Sequence, residues 1–304
     1  MEWATATLLD WLTGRFDPCS PKEFEYIQSF SKSKGLFFFL GEIDMSYNNE
    51  EPLSKEELYE VYTKNIQYAN YQLSVIKTEA RQVAVKYYWY CEEKGIERRD
   101  IFSNLEALTN LYAYILGSRF ELQLMKILHE NSSVAFTEEE LRNIKCKHTI
   151  YDRWSECLNI SFDKSSVDWE DISGENLKEI FQDRQNYLKE FQDIITMRNR
   201  LAHGQWSVQM DSAGTKEKVP DAMLRYSDLS KLVLLANKLD IMSRIVETIV
   251  VYKDKESTEF KQKLVSLIRE NQNYDVRIER TNLRQYIDSK LKKYKQEKFQ
   301  KRGS

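Results

Sequence analysis

The chain has 304 residues, enough for one large domain or two modest ones. Hydrophobic residues make up 41% and charged residues 31%, with only 9 Gly and 4 Pro, a balance that points to a packed helical core and away from a β-sandwich or a disordered tail. A formal net charge of -3 gives no global attraction to nucleic acid.

The first fifty or so residues are broken by Pro18, Pro21, Gly35 and Gly41, and read as an irregular N-terminal cap over 1–53. Their apolar run Leu36–Leu40 is far too short to span a membrane. No basic start with an apolar run and a small-residue cleavage site is present, so a cytoplasmic protein that does not enter a membrane is expected. Cys19, Cys91, Cys146 and Cys157 are widely spaced with no CxxC pair, which fits a reducing compartment.

Ser54-Lys55-Glu56-Glu57 has the form of a capping box, and a long helix is predicted from it to Lys94, closed by Gly95. Leu58, Val61, Tyr62, Ile66 and the apolar residues from Tyr68 to Val83 are assigned to one buried face. Tyr87-Tyr88-Trp89-Tyr90 is dense enough to bury on more than one side. This helix defines a segment over 54–100. A second helix is predicted over Phe102–Glu130, where Leu105, Leu108, Tyr112, Ile115, Leu122 and Met125 recur at helical spacing. Gly117-Ser118 in its middle would let another backbone come close. Thr137-Glu138-Glu139-Glu140 starts a third helix, expected to reach Cys157.

A fourth pattern runs from Glu175, with Leu177, Ile180, Phe181, Leu188, Phe191, Ile194 and Ile195 as its stripe. Extending the stripe reaches Arg198, a cation where an apolar residue is expected. A short β-hairpin or irregular excursion follows over Gln205–Val219. Helices resume over Ser227–Tyr252, Ser257–Asn271 and from Thr281 onward. The fold expected is all-α, a bundle of long antiparallel helices, with a helical domain over 101–254 and a basic C-terminal extension over 255–304.

The chemistry concentrates in Arg198-Asn199-Arg200-Leu201-Ala202-His203-Gly204. Only 3 histidines are present, and this one lies beside two arginines. Imidazole can move protons near neutral pH, and guanidinium is a permanent cation suited to phosphate. Cleaving RNA through its own 2′-hydroxyl needs a base, an acid and positive charge on the phosphorane oxygens. Arg198 and His203 would sit about 140° apart on an ideal helix. They converge only if the helix ends near Gly204 or if a two-fold axis brings in a second copy. On spacing alone, pairing of the arginines with acids and capping by His203 is the favoured explanation of these residues.

Read as Arg-Asn-x-x-x-His, the string resembles the signature of the HEPN superfamily of all-helical nucleotide-binding domains, many of them metal-independent ribonucleases. The resemblance implies that Arg198 contacts the scissile phosphate, His203 transfers protons and Asn199 orients the site. Glu121, Ser118 and Arg200 would have supporting roles. It also implies a homodimer or higher homo-oligomer, an RNA substrate, no cofactor and no metal. The biological role it implies is that of a toxin or antiviral effector restrained or triggered by a partner protein. The alternative is a non-catalytic HEPN-like module that binds a nucleotide or a partner protein. The Tyr that some members carry two residues after the His is Gln205 here.

Cys146, His148 and Cys157 are too few and too poorly spaced for a zinc site, and His129 reads as a helix cap. Phosphate loops, HExxH and GxSxG strings are missing from the sequence. The C-terminal segment carries Lys290, Lys292, Lys293 and Lys295 among interleaved aromatics, an accessory RNA-binding candidate against the ordinary reading of a solvated helix.

Overall fold

The computed structural model describes residues 53–131, 136–164, 186–202, 228–252 and 257–303. Residues Leu58–Ser304 form one compact unit, and the residues through Glu57 form another. Within the described residues the structure is all-α: α1 Lys55–Lys94, α2 Arg99–Leu128, α3 Glu138–Lys145, α4 Ile150–Lys164, α5 Asn186–Ala202, α6 Leu229–Val251, α7 Thr258–Arg280 and α8 Leu283–Gly303. None of these helices is long and apolar enough to cross a membrane. The expected hairpin over Gln205–Val219, the N-terminal cap and the Glu175–Gln185 part of the fourth pattern lie outside the described residues.

Local chemistry sets the ends. At the start of α1 the Glu57 N–H donates to Ser54 Oγ and the Ser54 N–H donates to Glu57 Oε2, at 3.2 and 2.8 Å. At its end Gly95 adopts a φ of 62°, and the Ile96 N–H reaches back to Tyr90 O at 3.2 Å, which closes the helix without a Cβ penalty. The chain then reverses into α2. The Tyr87 and Phe102 rings lie 5.3 Å apart near the turn. Toward the far end the Tyr62 ring lies 5.3 Å from that of His129 and Lys126 Nζ 5.2 Å from the Tyr59 ring, so the two helices run antiparallel.

The expected third helix is two helices. Thr137 and Glu140 form a capping box at the start of α3, but α3 stops at Lys145. A second cap then begins α4: Thr149 Oγ1 accepts from the Asp152 N–H at 3.0 Å and donates to Asp152 Oδ2 at 2.7 Å. Thr149-x-x-Asp152 is a start signal inside an apparently continuous periodic pattern. The helix expected to end at Asn271 instead continues to Arg280, because Ile278 adds another buried residue to its stripe.

The core is organised on α6, which packs against α2, α4, α7 and α8. Leu232, Leu235, Leu239, Met242, Val246 and Ile249 are buried along it. A second seam joins α2, α4 and α5. Phe120 stacks on Phe191 with ring centres 4.7 Å apart and on Trp154 at 5.1 Å, while Trp154 Nε1 donates to Phe120 O at 3.1 Å. Burying these rings and satisfying the one indole N–H fixes the height of α5 against α2.

One carboxylate caps two helices. Asp228 Oδ1 accepts from the Ser230 N–H at 2.7 Å at the start of α6, and Oδ2 accepts from the Leu283 N–H at 3.0 Å at the start of α8. Asp228→Ala is expected to cost about 2 kcal/mol, the upper range for one N-cap, since two are lost together. Asp228→Asn, which keeps one acceptor oxygen, should cost clearly less. Urea denaturation followed by circular dichroism reads both; equal losses for the two variants would contradict the double cap.

Candidate functional site

The site is built where α5 crosses α2. Ile194, Ile195 and Leu201 are buried on α5, and Arg198 lies among them in sequence, as a half-buried cation. What admits its stem is Gly117. A Cβ at Gly117 would fall 2.6 Å from Arg198 Cβ and 2.9 Å from its Cγ, so the methylenes of Arg198 lie directly on the bare backbone of α2. The close approach expected at Gly117 is therefore present, and its occupant is the motif arginine itself.

The guanidinium is then held by short side chains. Nη1 donates to Asn199 Oδ1 at 3.0 Å, and Nη2 donates to Glu121 Oε2 at 3.3 Å. Nε is buried with no hydrogen-bond partner. A guanidinium carries five N–H donors in a rigid fork, so this one has more donors than acceptors around it. The 3.3 Å contact is long for a charge-assisted pair, which leaves Glu121 as a loosely held partner.

The structure brings together Arg198, Asn199 and Glu121. It ties Ser118 elsewhere: its Oγ donates to Tyr114 O of its own helix at 3.1 Å. Arg200 is half-buried on α5. His203 lies outside the described residues.

Tyr62 was not among the sequence candidates. Its ring packs on His129, and its phenol is pushed above the ordinary tyrosine value by burial first and by the Glu121 carboxylate second. The acid that holds Arg198 is thus electrostatically linked to a residue of α1. His129 is the helix cap expected of it: its backbone N–H bonds the last carbonyls of α2, and its Nδ1 lies 2.6 Å from Met125 O.

The opposite face of α2 carries a second buried cation that sequence reasoning also missed. Arg119 is buried, pairs with Asp240 of α6 and donates to Ala236 O at 3.3 Å, while Gln123 Nε2 donates to the same Asp240 oxygen at 3.2 Å. Lys238 of α6 is likewise buried and paired with Asp275 of α7. Their signal in the sequence is a charge at an otherwise apolar helical position, the same signal that marked Arg198.

Among the described residues no group of three or more His, Cys, Asp or Glu converges as a metal site. Cys157 is buried in the α4 core, and burial pushes its thiol up to about 12, with a hydrogen bond from Ser161 pulling the other way. Of the C-terminal lysines, Lys290, Lys292 and Lys293 are exposed, and Lys292 pairs with Asp288 at 2.8 Å. Lys295 is held by Glu92 at 2.9 Å and also by Glu93, both from the end of α1. Arg284 pairs with Glu92 as well.

Compared with known proteins, the chain matches no family model, no curated protein and no solved structure.

Gly117→Ala should lower stability by about 1–3 kcal/mol, because the new methyl meets the rigid stem of Arg198 and the close-packed helices must separate. Ser118→Ala, one residue on, should stay within about 0.5 kcal/mol. Urea midpoints of the two variants test this, and an unchanged midpoint for Gly117→Ala would contradict the contact.

Proposed function

We propose that the chain is a metal-independent endoribonuclease of HEPN type that cleaves RNA through the 2′-hydroxyl. The observation that carries the reading is the presentation of Arg198: its stem laid on Gly117, its guanidinium steadied by Asn199 and Glu121, and its side chain still partly exposed. That arrangement fits a phosphate oxygen better than it fits a closed salt bridge.

In the proposed reaction the 2′-oxygen attacks phosphorus and the bond to the 5′-oxygen breaks. His203 moves the proton for one of these events, and a second group, supplied by another copy of the chain, moves the other. Arg198 compensates the charge that develops on the non-bridging oxygens. The products are a 2′,3′-cyclic phosphate and a free 5′-hydroxyl. Asn199 and Glu121 act as positioning residues for Arg198. By the same resemblance, the biological role would be that of a cytoplasmic toxin or antiviral effector, restrained or triggered by a partner protein. The exposed Lys290, Lys292 and Lys293 would guide RNA.

A second reading is a non-catalytic helical module that uses the Arg198 cluster to bind a nucleotide or a partner protein. It is favoured by the Glu121–Arg198 pair, which already gives the guanidinium a counter-charge.

The full chain is incubated with RNA in excess EDTA, and product ends are examined for cyclic phosphate. Wild type should cut, and Arg198→Ala and His203→Ala should each lose about 100-fold or more in rate, the scale of removing one group that stabilises or protonates the transition state. Cleavage that requires added metal, or that survives both substitutions, sinks the ribonuclease reading. Nucleotide binding without cleavage supports the module.

A further inference from the structure

The sequence pattern placed the apolar residues of α1 from Leu58 to Val83 on one buried face, and the structure does not. Ala69, Leu73, Ile76, Ala80 and Ala84 are buried. Val61, Tyr68, Tyr71 and Val75 are instead 39, 51, 66 and 45% exposed. At about 100° per residue these four fall within an arc of about 80°, well away from the buried stripe. Scattered exposed hydrophobics are ordinary, but four in one arc over consecutive turns form a patch, and tyrosine is enriched where proteins meet.

Lys64, Glu79 and Gln82 are exposed on the same arc. The order along it is Val61, Lys64, Tyr68, Tyr71, Val75, Glu79, Gln82, and this order is complementary to its own reverse. Laid antiparallel about a point midway between Tyr71 and Gln72, one copy sets Tyr68 against Val75 of the second, Lys64 against Glu79, and Val61 against the stem of Gln82. A two-fold axis makes each contact twice, which is what an isologous interface requires. A parallel alignment would set Lys64 on Lys64 and Glu79 on Glu79, and like charges reject it.

We propose that α1 is a homodimerisation helix, pairing antiparallel with the α1 of a second copy about a two-fold axis between Tyr71 and Gln72. The contact runs about 32 Å, from Val61 to Gln82, along a face about 10 Å wide. That is less than the roughly 800 Å² per partner of a standard interface, so the dimer dissociates on dilution. The inference does not rest on the ribonuclease reading. Tyr62, linked to Glu121 and so to Arg198, lies about 14 Å along α1 from the axis. The two Arg198 clusters would then be separated by about 28 Å along the helix pair, so this contact does not by itself merge them into one cleft.

The mass of the full chain in solution is measured over a dilution series by light scattering or sedimentation. Wild type should pass from dimer to monomer. Tyr68→Glu and Val75→Glu, both at exposed positions, should be monomeric throughout with unchanged circular dichroism. Lys64→Glu should weaken the dimer at least several-fold, and the double variant Lys64→Glu with Glu79→Lys should restore it. Under mild oxidation Tyr71→Cys, next to the axis, should form a disulfide with its own copy above the level of the native thiols, while Val61→Cys should not. A monomer at every concentration, a dimer indifferent to Tyr68→Glu and Val75→Glu, or self-crosslinking of Val61→Cys as strong as that of Tyr71→Cys would each overturn the proposal.

Discussion

Much of the structure depends on the near-complete burial of α6. Sixteen of its 23 residues are buried, so the helix has almost no solvent face and must be covered on several sides at once. α2, α4, α7 and α8 supply that cover. The same constraint explains the charges nearby. Lys238 lies on a helix with almost no water around it, and Asp240 borders a face filled by Arg119. A lone ion there would cost several kcal/mol, on the order of the usual penalty for an unpaired buried charge, so Lys238 pairs with Asp275 and Arg119 with Asp240. These pairs are held between helices and specify which helix lies where.

α2 sits between two different environments. One face meets α6 through Arg119 and Gln123, and the other meets α5 through Gly117, Phe120 and Glu121. On the first face the cation Arg119 is buried and its acid Asp240 is half-exposed, whereas on the second both Arg198 and Glu121 are half-exposed. The packing of Phe120 on Trp154 and Phe191 lies one helical turn from Gly117, so core packing and the placement of Arg198 are set by the same stretch of chain.

Local signals carried a good part of this in the sequence. Ser54 with Glu57, Thr137 with Glu140 and Gly95 mark helix ends by chemistry that acts within a few residues, and the structure places ends there. Thr149 with Asp152 is the same kind of signal, hidden because the apolar spacing runs through it without a break. Arg198 was legible as a cation interrupting an apolar stripe. What was not legible depends on which helices touch. Tyr62 reaches Glu121 from a helix far away in sequence. Glu92 and Glu93 hold Lys295 and Arg284 across 192 to 203 residues of chain, so a segment that counts as basic by its own composition is partly neutralised by α1. Periodicity assigned the apolar residues of α1 from Leu58 to Val83 to one buried face, but only packing decides which of them meet the core.

The double cap at Asp228 has a mechanical meaning. The first turn of the central helix and the first turn of the last helix share a single side chain, although 55 residues separate Asp228 from Leu283. Opening the first turn of α6 displaces Asp228 and takes the acceptor from the Leu283 N–H, whereas opening α8 leaves the Ser230 N–H its own oxygen. Loosening at the head of α6 is therefore transmitted to the last helix, whose leading N–H depends on a side chain of another element.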